Sequence, residues 1–163
     1  MMTERLSKKP ILWGLFLIVV CFALDQASKW YVLTDLMNPP AVIPVTSFFS
    51  YVLAWNTGVS FSLFNSYGLT GTYVLIALSS TISFVFFVWL LKARNYWLAS
   101  GLGFIIGGAI GNLVDRIRFG AVVDFLHFYY NTFSWPAFNL ADTFITIGVI
   151  LIVIESFKGE NNA

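Results

Sequence analysis

The sequence predicts an all-α membrane protein with a small β element: four transmembrane helices, a β-sheet on the extracytoplasmic side, and an interfacial helix or flap beside it. Three observations predict this. Of 163 residues, 58% are hydrophobic and 10% are charged, whereas an ordinary soluble domain is about a quarter charged, so a water-facing surface cannot be assembled from this composition. The apolar residues gather into four runs, at 11–33, 69–91, 96–114 and 137–157, each close to the roughly 20 residues a helix needs to cross about 30 Å of hydrocarbon. The segments joining runs one to two and three to four are rich in β-branched and aromatic residues, which favour strands and membrane interfaces. The chain is expected to form one domain over residues 1–163.

The first run follows Lys8 and Lys9, as a secretory signal would. No small-x-small cleavage site follows it, and bulky Val20 precedes Cys21 where lipidation would need a small residue, so it is expected to be a retained span. Residues 41–66 run through Phe48, Phe49, Tyr51, Trp55, Phe61 and Phe64, with a turn signal at Asn56-Thr57-Gly58, and are expected to form a small sheet on the outer leaflet. The third run carries Gly103, Gly107 and Gly111 at four-residue intervals, with Gly108 beside them, a pattern that lets helices pack closely. Residues 118–135 contain Phe119, Phe125, His127, Phe128, Tyr129 and Tyr130 and read as an interfacial helix or flap.

Four spans put both termini on one side, together with Arg5, Lys8, Lys9, Lys92, Arg94 and Lys158, which makes that side cytoplasmic. The acids divide too. Glu4, Glu155 and Glu160 lie at the inner ends, whereas Asp25, Asp35, Asp115, Asp124 and Asp142 lie at or beyond the outer ends. At about 1.5 Å per residue, Asp25 is roughly 21 Å along the first span, Asp115 roughly 28 Å along the third and Asp142 roughly 24 Å up the fourth. Three carboxylates thus reach one level near the outer surface, where an ionisable side chain marks a functional site.

Several classes of function are excluded. A net charge of +1 provides no field for nucleic acid. One cysteine and one histidine, Cys21 and His127, allow no internal disulfide and too few soft ligands for zinc. No metal and no organic cofactor are expected.

Three groups of residues remain. Asp25, Ser28 and Lys29 share a helix face, as do Asn112, Asp115 and Arg116. The first reads as an ion pair anchoring the helix end; Ser28 and Lys29 are adjacent and point apart, which argues against a Ser-Lys nucleophile. Arg116, permanently charged, is expected to hold a carboxylate or backbone carbonyls. Asn139 and Asp142 share a face in the fourth run, and Asp124 is flanked by Val122, Val123, Phe125 and Leu126. Two carboxyls brought together in apolar surroundings cannot both ionise, which gives one acid and one base. A catalytic dyad and an ion or proton relay, as in a small ion- or proton-coupled carrier, are the two readings of these acids.

Five blocks taken together are more specific: Asp25-Gln26-Ala27-Ser28-Lys29, Asn56-Thr57-Gly58-Val59-Ser60-Phe61, Gly108-Ala109-Ile110-Gly111-Asn112-Leu113-Val114-Asp115-Arg116, Val122-Val123-Asp124-Phe125 and Phe138-Asn139-Leu140-Ala141-Asp142. In order, and spread over nearly the whole chain, they resemble the bacterial lipoprotein signal peptidases, signal peptidase II. The resemblance implies an intramembrane aspartic endopeptidase of the bacterial cytoplasmic (inner) membrane. Such an enzyme cuts the signal peptide from diacylglyceryl-modified prolipoproteins just before the lipidated cysteine. It implies Asp124 and Asp142 as the catalytic pair. Asp25, Lys29, Asn56, Gly58, Phe61, Gly108, Asn112, Asp115, Arg116, Asn139 and Ala141 would line or support the site. It also implies inhibition by globomycin-type cyclic peptides. A monomer working in membrane lipid is expected. Which aspartate starts protonated is left open by the sequence.

Overall fold

The computed structural model describes residues 8–58 and 68–160. Helix α1 (Lys9–Tyr31) runs into a π-helical turn (Val32–Leu36), then strands β1 (Ile43–Pro44) and β2 (Phe49–Asn56). Helices α2 (Gly68–Leu90) and α3 (Tyr96–Phe119) follow, then β3 (Val122–Tyr130), β4 (Phe133–Ser134) and α4 (Leu140–Glu160). All four α-helices are long and apolar enough to cross a membrane.

Helix α3 is the centre, and its glycines explain why. A β-carbon at Gly103 would lie 2.8 Å from the Gly14 carbonyl oxygen, and one at Gly107 would lie 2.7 Å from Cys21 Cβ, so α1 packs directly on the backbone of α3. Gly101 does the same for α4, where a β-carbon would lie 2.9 Å from the Gly148 carbonyl oxygen. The contacts fix direction. Gly14 lies by Gly103 and Asp25 by Gly111, so α1 is parallel to α3, whereas Gly148 lies by Gly101 and Ala141 by Gly108, so α4 is antiparallel. Helix α2 closes the third side through Leu90, which packs with Ala93, Ala99, Leu102 and Ile106. The other faces carry exposed Leu12, Phe16, Val19, Phe84, Val85, Val149 and Ile150, which suit hydrocarbon and not water.

Helix α3 starts at Asn95, whose side chain accepts the Leu98 N–H at 2.8 Å. It runs past the expected end at 114 and stops at Gly120, where φ of 74° is the left-handed cap that glycine adopts without strain. That stop frees the chain to extend. Of residues 118–135, expected as an interfacial helix or flap, Arg118 and Phe119 end α3, and β3 and β4 occupy most of the rest. Residues 122–130 are β-branched or aromatic at most positions and find a partner in β2, so ladder pairing replaces the expected interfacial helix.

The sheet is antiparallel in the order β1-β2-β3-β4. Ala54 pairs with Asp124, Asn56 with Val122 and Ser50 with His127, with an irregularity between Tyr51 and Ala54. The expected outer β region, 41–66, thus holds β1 and β2, while its part from 59 on lies outside the described residues. Val123 and Phe125 pack on Val32 and Met37, which seats the sheet on the far end of α1. Phe138 then bonds Leu126 in both directions, at 2.8 and 3.0 Å, so the segment that leads into α4 is pinned to β3.

Candidate active site

Asp124 and Asp142 reach one site from different elements, Asp124 from β3 and Asp142 from the first turn of α4. The joint between them is Asn139. As the residue before α4 it accepts the Asp142 N–H on Oδ1 at 3.1 Å, and its own N–H donates to Asp142 Oδ2 at 3.2 Å. This reciprocal pair is a capping box, with asparagine and aspartate three residues apart. Asn139 Nδ2 also donates to Asp124 Oδ1 at 2.6 Å. One wholly buried asparagine therefore holds both acids, Asp124 through its side-chain amide and Asp142 through its backbone N–H.

The other oxygens are held by amides as well. Asn56 Nδ2 donates to Asp124 Oδ2 at 3.0 Å, and Asn112 Nδ2 to Asp142 Oδ1 at 2.8 Å. Asn112 is fixed in turn, because its Oδ1 accepts from Lys29 Nζ at 2.9 Å and from Asn139 Nδ2 at 3.1 Å. Lys29 is an ion-pair partner of Asp25 at 2.8 Å and of Asp115 at 2.9 Å, with all three side chains nearly inaccessible. Arg116 does hold backbone carbonyls, those of Gly58 at 3.0 Å and Asn112 at 3.4 Å. The Gly58 N–H reaches Asn56 Oδ1 at 3.1 Å, so the turn after β2 steadies the amide that faces Asp124.

The two carboxylates open onto a groove of about 870 Å³, walled by Ala54, Asn56 and Phe138 above and running down α4 past Thr143, Thr146 and Ile147. Burial, and then the charge of Asp142, push the Asp124 carboxyl up to about 7, while the Asn56 and Asn139 bonds and the charge of Lys29 hold it back. A carboxyl raised this far beside a second carboxyl can serve as the acid to the other's base.

Asp25, Lys29, Asn56, Gly58, Asn112, Asp115, Arg116, Asn139 and Ala141 thus join Asp124 and Asp142 in one hydrogen-bonded network. Gly108 sits beneath it, where a β-carbon would collide with the Ala141 carbonyl. Phe61 lies outside the described residues. Sequence reasoning missed Gln26, whose Nε2 donates to Asp115 Oδ1 at 3.1 Å and Asp25 Oδ2 at 3.2 Å. Its signals are adjacency to Asp25 and its place in the first of the five blocks. A proton-carrying path would need polar groups through the full depth. Among the described residues the buried polar side chains gather at the sheet end, with Ser83 the exception.

This architecture is that of an integral membrane enzyme. The fold matches a bacterial membrane enzyme solved by the in meso method at 2.3 Å resolution, with a TM-score of 0.78 and 26% identity, over 99% of this chain and 95% of that one. A second, solved at 1.9 Å resolution, matches with a TM-score of 0.71 and 26% identity, over 97% and 98%. The family model for Signal peptidase (SPase) II matches residues 17–158. The chain belongs to the signal peptidase II family and is a multi-pass membrane peptidase. A lipoprotein signal peptidase of Rhodopseudomonas palustris (strain TIE-1) is 40% identical over 155 residues, 92% of this chain and 94% of that one. That of Rickettsia bellii (strain OSU 85-389) is 39% identical over 147 residues, 90% and 75%.

Proposed function

We propose that the chain is an aspartic endopeptidase that removes the signal peptide from diacylglyceryl-modified prolipoproteins, cutting just before the lipidated cysteine. The observation that carries this is the pair Asp124 and Asp142, held by one asparagine at the mouth of a groove that runs down a membrane span. Family membership and the names of the relatives support it.

Asp124, with its carboxyl near 7, is the partner that starts protonated. Ionised Asp142 takes a proton from water as the water oxygen attacks the scissile carbonyl, and Asp124 gives its proton to the carbonyl oxygen. The tetrahedral diol then collapses. Its C–N bond breaks as Asp142 passes a proton to the departing amine nitrogen, and Asp124 recovers a proton from the diol, which restores the starting pair. The peptide lies extended under the sheet, and the acyl chains stay in lipid beside α4. Globomycin-type cyclic peptides compete for this groove, and the working unit is a monomer. Lys8, Lys9, Lys92 and Arg94 lie at the end of the bundle away from the sheet, which supports a cytoplasmic position for that end and an outer-face position for the site in the bacterial inner membrane.

The test is cleavage of a diacylglyceryl precursor by purified protein. Asp124→Asn and Asp142→Asn should each slow it by about 10²- to 10⁴-fold, the contribution of a positioned acid or base, while the variants stay folded in detergent. Ready cleavage by either variant would refute the reading.

A further inference from the structure

The residue just ahead of each paired aspartate gives its backbone N–H to another aspartate. Val123 N–H donates to Asp115 Oδ2 at 3.2 Å, and Ala141 N–H donates to Asp25 Oδ1 at 3.0 Å. Two acids from two different membrane helices thus hold, one apiece, the backbone beside Asp124 and the backbone beside Asp142. The two holders are themselves tied together twice. Lys29 Nζ reaches Asp25 Oδ2 at 2.8 Å and Asp115 Oδ2 at 2.9 Å. Gln26 Nε2 reaches the same two carboxylates at 3.2 and 3.1 Å, and the Gly111 carbonyl at 3.3 Å.

Such a cluster is stiff. Asp25, Asp115 and Lys29 are 0%, 1% and 3% exposed, and moving one charge away would leave the others buried without a partner. The packing beneath has no slack either. The Asp25 carboxylate occupies the space that a side chain at Gly111 would fill, and the Ala141 carbonyl occupies the space beside Gly108. Helix α3, which carries Asp115, can therefore approach Asp25 and the Ala141 backbone only because those positions are glycine.

We propose that Asp25 and Asp115 are positioning residues, each pinning the backbone ahead of one member of the Asp124/Asp142 pair, and that Lys29 and Gln26 lock the two holders into one unit that sets the geometry of that pair. Asp25, Asp115, Lys29 and Gln26 touch no oxygen of Asp124 or Asp142 directly; they act through Val123, Ala141 and Asn112. The proposal rests on the reading of Asp124 and Asp142 as the working pair.

The experiment measures kcat and KM separately for cleavage of a diacylglyceryl precursor by purified Gln26→Leu, Asp25→Ala and Asp25→Asn, with Asp142→Asn alongside. A displaced catalytic group lowers turnover by up to about 100-fold without loosening substrate binding, so Asp25→Ala should lose about that much kcat and Gln26→Leu about 10-fold, with KM within about twofold. Asp25→Asn keeps an oxygen that can accept the Ala141 N–H and should recover about 10-fold over Asp25→Ala. A loss that falls on KM, or an Asp25→Asn variant as slow as Asp25→Ala, overturns the proposal. So does wild-type turnover by Gln26→Leu, which stands alone as the test if Asp25→Ala does not fold. If Asp142→Asn is inactive while the other variants match wild type, only this proposal fails. If Asp142→Asn cuts normally, the aspartic reading fails with it.

Discussion

Replacing Asn56 by alanine should move the alkaline limb of the activity profile without moving the fold. Asn56 Nδ2 gives Asp124 Oδ2 a bond of 3.0 Å, and that bond favours the ionised form of a carboxyl pushed up to about 7. A hydrogen bond to a charged acceptor contributes about 1.5–3 kcal/mol and one to a neutral acceptor about 0.5–1.5. The difference between the midpoints, about 1.2 kcal/mol, corresponds to about one pKa unit. Its loss favours the protonated acid, so the Asp124 carboxyl rises from about 7 toward about 8.

The sign for activity follows from the pair. Asp142's negative charge is among the causes that raise Asp124, so the step near pH 7 is the loss of the pair's shared proton and the rate falls as pH rises through it. At pH 8 about a tenth of the wild-type enzyme keeps that proton, against about half of Asn56→Ala. Asn56→Ala also removes the oxygen that accepts the Gly58 N–H and so loosens the turn after β2, and its maximal rate is lower. The ratio of kcat at pH 8 to kcat at pH 6 cancels that loss, and it should be about fivefold higher in Asn56→Ala than in wild type. The assay is cleavage of one lipidated precursor in one detergent from pH 5 to 9. A limb that stays in place or moves toward acid would refute the argument, as would a wild-type profile with no alkaline limb near 7.

Two further outcomes follow from the same geometry. Asp124 binds its proton more tightly folded, near 7, than at its ordinary value of 3.8, so folding stability falls as pH rises between those values. Asp124→Asn removes that liability; its thermal midpoint in detergent should exceed that of wild type above pH 7, the gap closing toward pH 4. Gly107→Val places branched carbons where Cys21 Cβ and the Ile18 backbone already lie within 3.2 Å. Overpacking of this kind costs about 1–3 kcal/mol or more, and a midpoint lowered by several degrees should be seen, whereas an unchanged midpoint would mean that α1 and α3 do not meet there.

The helices were readable because lipid imposes both length and composition on whatever crosses it, and the runs at 69–91 and 96–114 begin within one residue of α2 and α3. The strands within 118–135 were not readable. Phe125, Phe128, Tyr129 and Tyr130 suit a membrane interface and a pleated sheet equally well, and the choice was made by β2, some seventy residues earlier in the chain. In the site, Asp124 and Asp142 stood out because acids are scarce and their neighbours apolar. Their meeting did not, since it depends on where Ala54 falls in register against Asp124. Gln26 was invisible for another reason: neighbours in a helix point apart, yet its side chain is long enough to bend back onto Asp25 and across to Asp115.

Half of that meeting was nevertheless written locally. Asn139 and Asp142 have the three-residue spacing of a capping box, which fixes the Asp142 carboxylate as soon as the first turn of α4 forms. The same Asn139 then spends its amide nitrogen on Asp124, and Phe138, one residue earlier, is bonded to Leu126 of β3. Docking the start of α4 on the sheet and bringing the two carboxylates together are therefore one event. An enzyme with a loosely docked α4 would lack its paired acids, and that makes the glycines that admit α4 to α3, Gly101 and Gly108, as much a part of the site's construction as the aspartates.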